Sequence, residues 1–323
     1  MMNHLKIYLG KINGSNRVVN ELRIQNELIT GLREKIVAQN ELITGLREKI
    51  VTQDELITNL REKVITQSEK IDRITYLLLR EKCNKLLSGN RPINIQSKKK
   101  IAYDSNDHIN PWGTKQDNSI NLRFNVKLKN LIPFSDQYLL DLGCSGGGLV
   151  RSFIEEGIFA IGIEGSDFSS KILRAEWSSI PEFLFTGDIT EPFELLSDAN
   201  PLKFKVITLW EVIEHIKKDK LEIVFQNINH HLEKNGLVIM SVSTVQDEVN
   251  GYLMHETVEN FEWWMEKVNK FGFKHHADLC SFFGNDTIRP DVVVWDENEK
   301  KYTGSSFIFY LTRENESLST LNE

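Results

Sequence analysis

The chain has 323 residues, 40% of them hydrophobic and 26% charged, a balance ordinary for a soluble protein and long enough for one large domain or two smaller ones. Its net charge of −7 is unevenly spread: residues 1–100 carry 19 Lys and Arg against 11 Asp and Glu, and the remainder carries 20 against 35. The acidic larger part lacks the basic footprint of nucleic-acid binding, and no stretch approaches the roughly 18 apolar residues of a membrane span.

The first element in chain order is a repeat. Gln25-Asn-Glu-Leu-Ile-Thr-Gly-Leu-Arg-Glu-Lys-Ile-Val-Ala38 returns almost verbatim at 39–52 and more loosely at 53–66 and 67–80, a period of 14 residues. With Ile29 at heptad position a, Ile36, Ile43, Ile50, Ile57, Val64, Ile71 and Leu78 also fall on a. Position d alternates between Leu32, Leu46, Leu60 and Ile74 and the glutamines Gln39, Gln53 and Gln67. A seam kept at a spacing of about 3.5 residues predicts a coiled coil over 22–87, about 90 Å from Leu22 to Lys82 at roughly 1.5 Å per residue. β-Branched a residues with Leu at half the d positions suit a parallel dimer or a trimer, and alternate glutamines weaken the core while fixing the register. Residues 1–21 are a separate segment without the apolar core of a signal peptide.

Turn formers and charge in Ser88-Gly-Asn-Arg-Pro92 and Ser97-Lys-Lys-Lys100 mark a linker over 88–105, followed by a second domain over 106–314 and a tail at 315–323. Asn110–Asn118 opens that domain, either as a lid or as a simple connecting turn. The pattern then predicts helix 118–132, strand 137–142, helix 147–156, strand 159–163, helix 168–177, strand 183–187, strand 204–209, helix 218–233, strand 236–242, helix 258–270, strand 277–283 and strand 305–312. Short unbroken apolar runs such as Val206-Ile-Thr-Leu209 suit strands buried on both faces of a parallel sheet, so the expected fold class is α/β, doubly wound and Rossmann-like. A hairpin joining the last two strands puts an antiparallel strand at the end of the sheet. The helical cluster Phe261-Glu-Trp263-Trp264-Met265 is read as core packing, and His275-His276 as surface.

Ligands of such sheets bind outside the carboxyl ends of the strands. Asp141-Leu-Gly143-Cys144-Ser145-Gly146-Gly147-Gly148 ends the first strand, Glu164 the second, Gly187-Asp188-Ile189 the third and Trp210-Glu211 the fourth. An acidic residue ahead of the glycines points to a nucleoside that bears an amino acid, and so to a methyl donor.

This ordered set resembles the class I S-adenosylmethionine-dependent methyltransferases over roughly residues 110–312. Ser145 stands where the family has its middle glycine. Trp210-Glu-Val-Ile-Glu-His215 is similar to the Glu-Val-x-Glu-His stretch of small-molecule O-methyltransferases of the ubiquinone-biosynthesis type. The resemblance implies S-adenosyl-L-methionine as cofactor, with Gly143, Cys144, Ser145 and Gly147 forming its loop and Asp141 near its amino group. It implies Glu164 on the ribose hydroxyls, Asp188 on the adenine amino group and Ile189 against the ring, with Trp210 beside them. Helix capping is the competing role for Glu164 and Asp188, and a small filler is the expected role for Cys144.

A hydroxyl acceptor needs a base. His215 is the first candidate, with Glu211 and Glu214 as neighbouring options. Orienting the loop is the competing role for His215. His255 is placed at the acceptor pocket. No Asp/His grouping has metal-ligand spacing, so no metal is expected. The three cysteines, Cys83, Cys144 and Cys280, are scattered, which fits a reducing cytoplasm. The leading expectation is an oligomeric methyltransferase acting on a small molecule or a glycan, at oxygen. The glycan is suggested by a stalk attached to a catalytic domain. The alternatives are an inactive scaffold of the same fold and, more remotely, an NAD-dependent oxidoreductase, whose Gly-x-Gly-x-x-Gly frame is missing.

Overall fold

The computed structural model describes residues 2–88, 92–132 and 138–316, with the side chains of 4–15 left aside. They fall into two compact units, Met1–Ile74 and Thr75–Glu323.

The first unit is formed by the helix α1 (Met2–Ser88), whose last turns belong to the second unit. No proline interrupts it, and Thr30, Thr44 and Thr58 donate their hydroxyls to the carbonyls four residues earlier. The seam predicted from the repeat lies open: Ile29, Ile43 and Ile57 are each 46% exposed, and Leu32, Leu46 and Leu60 about half exposed. No described helix is long and apolar enough to cross a membrane.

In the second unit Leu79 and Cys83 of α1 are buried in the core, and Arg80 grips Glu182 with both guanidinium nitrogens. The chain continues through β1 (Ile93–Ser97), α2 (Asn106–Ile109), α3 (Trp112–Gln116), α4 (Leu122–Leu131), β2 (Tyr138–Leu142), α5 (Gly148–Glu155), β3 (Phe159–Glu164) and α6 (Phe168–Lys171). Next come β4 (Leu184–Thr186), β5 (Phe193–Ser197), β6 (Asn200–Pro201), β7 (Phe204–Leu209), α7 (Leu221–His231) and β8 (Leu232–Ser243). The last part holds β9 (Glu248–Val249), β10 (Tyr252–Leu253), α8 (Phe261–Lys270), β11 (Phe273–His275), α9 (Asp278–Phe283), β12 (Trp295–Asp296), β13 (Lys301–Tyr302) and β14 (Ser306–Arg313).

Seven strands form the central sheet in the order β11-β14-β8-β7-β2-β3-β4. β4, β3, β2, β7 and β8 run parallel, and β14 is antiparallel to both β8 and β11. This is the doubly wound, Rossmann-like methyltransferase sheet expected from the alternating pattern, with its antiparallel strand near one end. All residues of β3 and β7 are buried, which explains why those strands read as unbroken apolar runs.

Three local expectations fail. Residues 277–283 form a helix rather than a strand, because Leu279, Cys280 and Phe283 face inward at helical spacing, and the edge strand is Phe273–His275 instead. A short apolar run does not separate the two periods by itself. The helix expected over 168–177 stops at Lys171, and left-handed Leu173 and Ala175 lead into a 3₁₀ turn. His275 and His276 are not at the surface. His276 is buried with Nε2 2.8 Å from Thr312 Oγ1, and half-buried His275 accepts the Tyr310 N–H. Burial lowers the His275 pKa to about 4. Trp264 is fully buried, as expected of a core cluster. Within the stretch read as a linker, β1 pairs with β5 through Ile93↔Ser197 to Ser97↔Phe193, and 89–91 lie outside the described residues.

Candidate active site

A cavity of about 390 Å³ opens at the carboxyl ends of the parallel strands, within the usual ~300–1,000 Å³ of small-molecule sites. Its walls include Gly143 and Ser145 after β2, Glu164 at the end of β3, Asp188 and Ile189 after β4, and Trp210, Glu211 and His215 after β7. Eight of the residues predicted from the sequence therefore meet around one space. Asp141, Cys144, Gly147 and Glu214 sit behind its wall.

The turn after β2 is shaped by the protein's own packing. Gly143 has a φ of +81°, and a Cβ there would collide with the Val212 side chain. Ser145, at the position of the missing middle glycine, takes the same left-handed region at a φ of 48°. Its N–H donates to Glu164 Oε2 at 2.8 Å, and its hydroxyl donates toward the carbonyls of Asp117 (3.0 Å) and Thr114 (3.2 Å). Thr114 and Asp117, with Gly113, line the cavity. The segment 110–118 thus contributes to the cavity wall and is tied to the loop after β2.

Each carboxylate has a distinct environment. Asp141 is buried between strands and accepts the Thr208 hydroxyl at 2.7 Å; burial raises its pKa to about 7. Glu164 also accepts the Ser166 N–H at 3.0 Å, and burial raises its pKa to about 7 against the pull of these two N–H donors. Asp188 accepts the backbone N–H (2.9 Å) and the hydroxyl (2.6 Å) of Thr190 through Oδ1. Neither Glu164 nor Asp188 caps a helix: α6 starts after Asp167, and the element that follows Asp188 is β5, so these bonds belong to turns at the strand ends. Cys144 packs against Gly162, and burial holds its thiol well above the ordinary range, the behaviour of a filler.

At the other end, His215 Nδ1 lies 2.8 Å from Asp107 Oδ2. Burial pulls the His215 pKa down, but Asp107, Glu214 and Glu211 together outweigh it and raise it to about 9. The balance favours the charged form of the ring. Asp107 comes from α2, a segment whose sequence carries no motif. Glu211 has a φ of 55°, accepts the Ser306 hydroxyl at 2.9 Å through Oε2, and keeps Oε1 buried without a partner. Strained backbone of this kind gathers at functional sites. Glu214 accepts the Ser243 N–H at 3.1 Å; burial and the nearby Glu211 charge raise its pKa. The His255 ring packs edge-on against His215 at 4.7 Å, with Nδ1 bound to the Val245 carbonyl. Burial, and the neighbouring His215, lower the His255 pKa. Glu214, His215 and His255 bring ligand atoms within 4.8 Å of one another, a donor set that the sequence spacing did not suggest and that a cation could use.

A family model described as a methyltransferase domain matches residues 118–290, more than half of the chain. The chain belongs to the methyltransferase-domain family. The ubiquinone biosynthesis O-methyltransferase of Serratia proteamaculans is 28% identical to this methyltransferase over 133 residues, 41% of this chain and 53% of the relative. The enzyme of the same description from Vibrio cholerae is 29% identical over 136 residues, 41% of this chain and 51% of its own. The chain thus spans about half the length of the curated relatives it matches. Among solved structures, the glycopeptide N-methyltransferase MtfA with sinefungin aligns over 60% of this chain and 93% of its own (13% identity, TM-score 0.38). An S-adenosylmethionine-dependent methyltransferase from Clostridium acetobutylicum aligns over 59% and 88% (13% identity, TM-score 0.41).

Membership of the methyltransferase-domain family makes S-adenosyl-L-methionine the cofactor whose fit this cavity has to meet. The donor set suits it. Glu164 and Asp188 offer acceptors for hydroxyl and amino groups, and Ile189, Gly143 and Ser145 line the same cavity.

Proposed function

We propose that the protein transfers a methyl group from S-adenosyl-L-methionine to an oxygen of a small-molecule or glycan acceptor. The observation that carries this reading is one cavity lined both by the carboxylates Glu164 and Asp188 and by the His215–Asp107 pair with Glu211. The O-methylation named for the two bacterial relatives supports oxygen as the acceptor atom.

The cofactor supplies a methyl group already activated on a sulfonium, so the chain's task is alignment, water exclusion and handling of the acceptor proton. Glu164 holds hydroxyls, Asp188 an amino group, and the 110–118 segment excludes water. His215, kept protonated by Asp107, donates a hydrogen bond to the acceptor oxygen and stabilises the negative charge that grows there. Glu211, through its unpartnered Oε1, takes the proton. This reading assigns the base to Glu211, one of the neighbouring options, and keeps His215 at the acceptor oxygen. Glu214 acts through His215, as a buried neighbour that helps set its charge.

The same reading makes α1 a coiled coil that joins copies of the chain through its open seam, with the enzyme in the cytoplasm. Calorimetric titration of S-adenosyl-L-homocysteine into the wild type and into a Glu164→Ala, Asp188→Ala double variant tests the reading. Micromolar binding lost in the variant supports it. A folded wild type that binds nothing leaves the inactive scaffold as the account.

A further inference from the structure

The cavity wall carries a charged pair, Arg289 with Asp117, that none of the strand-end motifs supplies. Arg289 lies in the stretch between α9 and β12, far in sequence from the glycine turn, and lines the cavity beside Gly113, Thr114, Gly143 and Ser145. Its Nη1 donates to Asp117 Oδ1 at 2.9 Å and reaches the Ser119 hydroxyl at 3.3 Å. Its Nε is buried and has no hydrogen-bond partner among the described residues. A buried guanidinium N–H left unpaired costs free energy unless an acceptor arrives. Asp117 is the residue whose carbonyl accepts the Ser145 hydroxyl, so the pair stands directly over the turn that ends β2. The charges of both Asp117 and Arg289 are felt by Asp141 beneath that turn.

Glu164 and Asp188 offer acceptors to the cavity. Over Ser145 stand a guanidinium and a carboxylate side by side, which is the complement of an α-amino acid zwitterion: a planar fork for its carboxylate and an anion for its ammonium.

We propose that Arg289 binds the carboxylate, and Asp117 the ammonium, of the amino-acid end of the cofactor, so that the α9–β12 stretch closes the site from outside the strand-end motifs. The assignment rests on the S-adenosylmethionine reading. Without ligand Arg289 Nη1 pairs with Asp117 Oδ1, and Arg289 Nε is left for an acceptor. With ligand each exchanges part of that pairing for an opposite charge of the same sign as its former partner, so no charge is left uncompensated in the partly closed site.

The test is calorimetric, on the full chain, with two probes. S-Adenosyl-L-homocysteine carries the amino-acid end; 5′-methylthioadenosine keeps the nucleoside and thioether and lacks it. The expected result is that Arg289→Ala weakens the first probe by about thirtyfold or more, the range for truncating one partner of a buried charge pair, and leaves the second unchanged. Arg289→Lys should recover only part of the loss, because a point charge does not reproduce the fork. Thermal melts of both variants show whether the domain stays folded. Unchanged affinity for S-adenosyl-L-homocysteine in folded Arg289→Ala overturns the assignment. An equal loss for both probes also overturns it, by making Arg289 a structural pin for the 110–118 segment. Wild type that binds 5′-methylthioadenosine as tightly as S-adenosyl-L-homocysteine removes the amino-acid subsite while keeping the cofactor reading. Wild type that binds neither overturns both.

Discussion

The backbone N–H of Ser145 donates to the Glu164 carboxylate at 2.8 Å, linking the ends of the first two strands of the motif. Glu164 is thereby fixed in place, yet its burial raises its pKa to about 7, so near neutrality it is partly protonated in the free protein. A carboxylate that must accept two hydroxyls has to be ionised. S-Adenosyl-L-homocysteine affinity should therefore rise as pH goes from 6 to 8, by up to about tenfold for one proton released per unit of pH below the pKa. Glu164→Gln should flatten that dependence. Titrations at three pH values check it.

Ser145 adopts a conformation that favours glycine and compensates with its hydroxyl bonds to the 110–118 segment. Ser145→Gly removes strain of about 1–2 kcal/mol and loses hydrogen bonds of similar total worth, so its stability should lie near that of the wild type. Ser145→Ala loses the bonds and keeps the strain, and should cost about 1–2 kcal/mol. Both should loosen the 110–118 segment, read as faster amide exchange there. Urea melts separate the two variants.

These contrasts show what the sequence made legible. Asp141, Glu164, Asp188 and Trp210 were found because each ends an apolar run, and apolar runs fix strand ends in a parallel sheet. Asp107 and Arg289 were not found, because they enter from α2 and from a long connection, where no periodicity marks which side chain turns inward. The strand β1 was hidden for the same reason: Ile93 and Ile95 alternate with polar residues beside turn formers, and only the partner β5 makes a strand of them. The α9 segment shows the opposite failure, an apolar run whose period is visible only through Leu279, Cys280 and Phe283 packing together.

The His215–Asp107 pair carries a pH signature. The folded pKa of about 9 exceeds the ordinary 6.5, so the stability it adds is complete below pH 6.5 and is lost as pH rises through 9. Thermal midpoints should therefore fall across pH 6.5–9, and Asp107→Asn should flatten that fall while lowering stability at pH 6.5 by a few kcal/mol at most. Activity tests the roles further. His215→Ala should lower kcat by about 100-fold or more with little change in cofactor affinity, and Glu211→Gln should lower kcat by a similar factor.

The open face of α1 makes the last prediction. Ile50 and Ile57 occupy successive a positions, both about half exposed, with Gln53 at d between them. In a self-associated rod these three form adjacent core layers, so Ile50→Lys with Ile57→Lys should bring the sedimentation mass to the 37.3 kDa of one chain. Gln53→Leu acts on the same core in the other direction. It replaces a polar layer by an apolar one and should stabilise the assembly, by about 1–2 kcal/mol, while relaxing register and stoichiometry, because the polar layers are what a shifted pairing would mismatch. The duplication makes this sharper: a slip of one heptad sets every glutamine layer against leucine, whereas a slip of one whole repeat restores the match except at the ends. Wild type should therefore sediment as a single species. Gln39→Leu, Gln53→Leu and Gln67→Leu combined should broaden it into a mixture. A wild-type chain that sediments as a monomer at micromolar concentration would remove the coiled coil and leave α1 as a solitary helix.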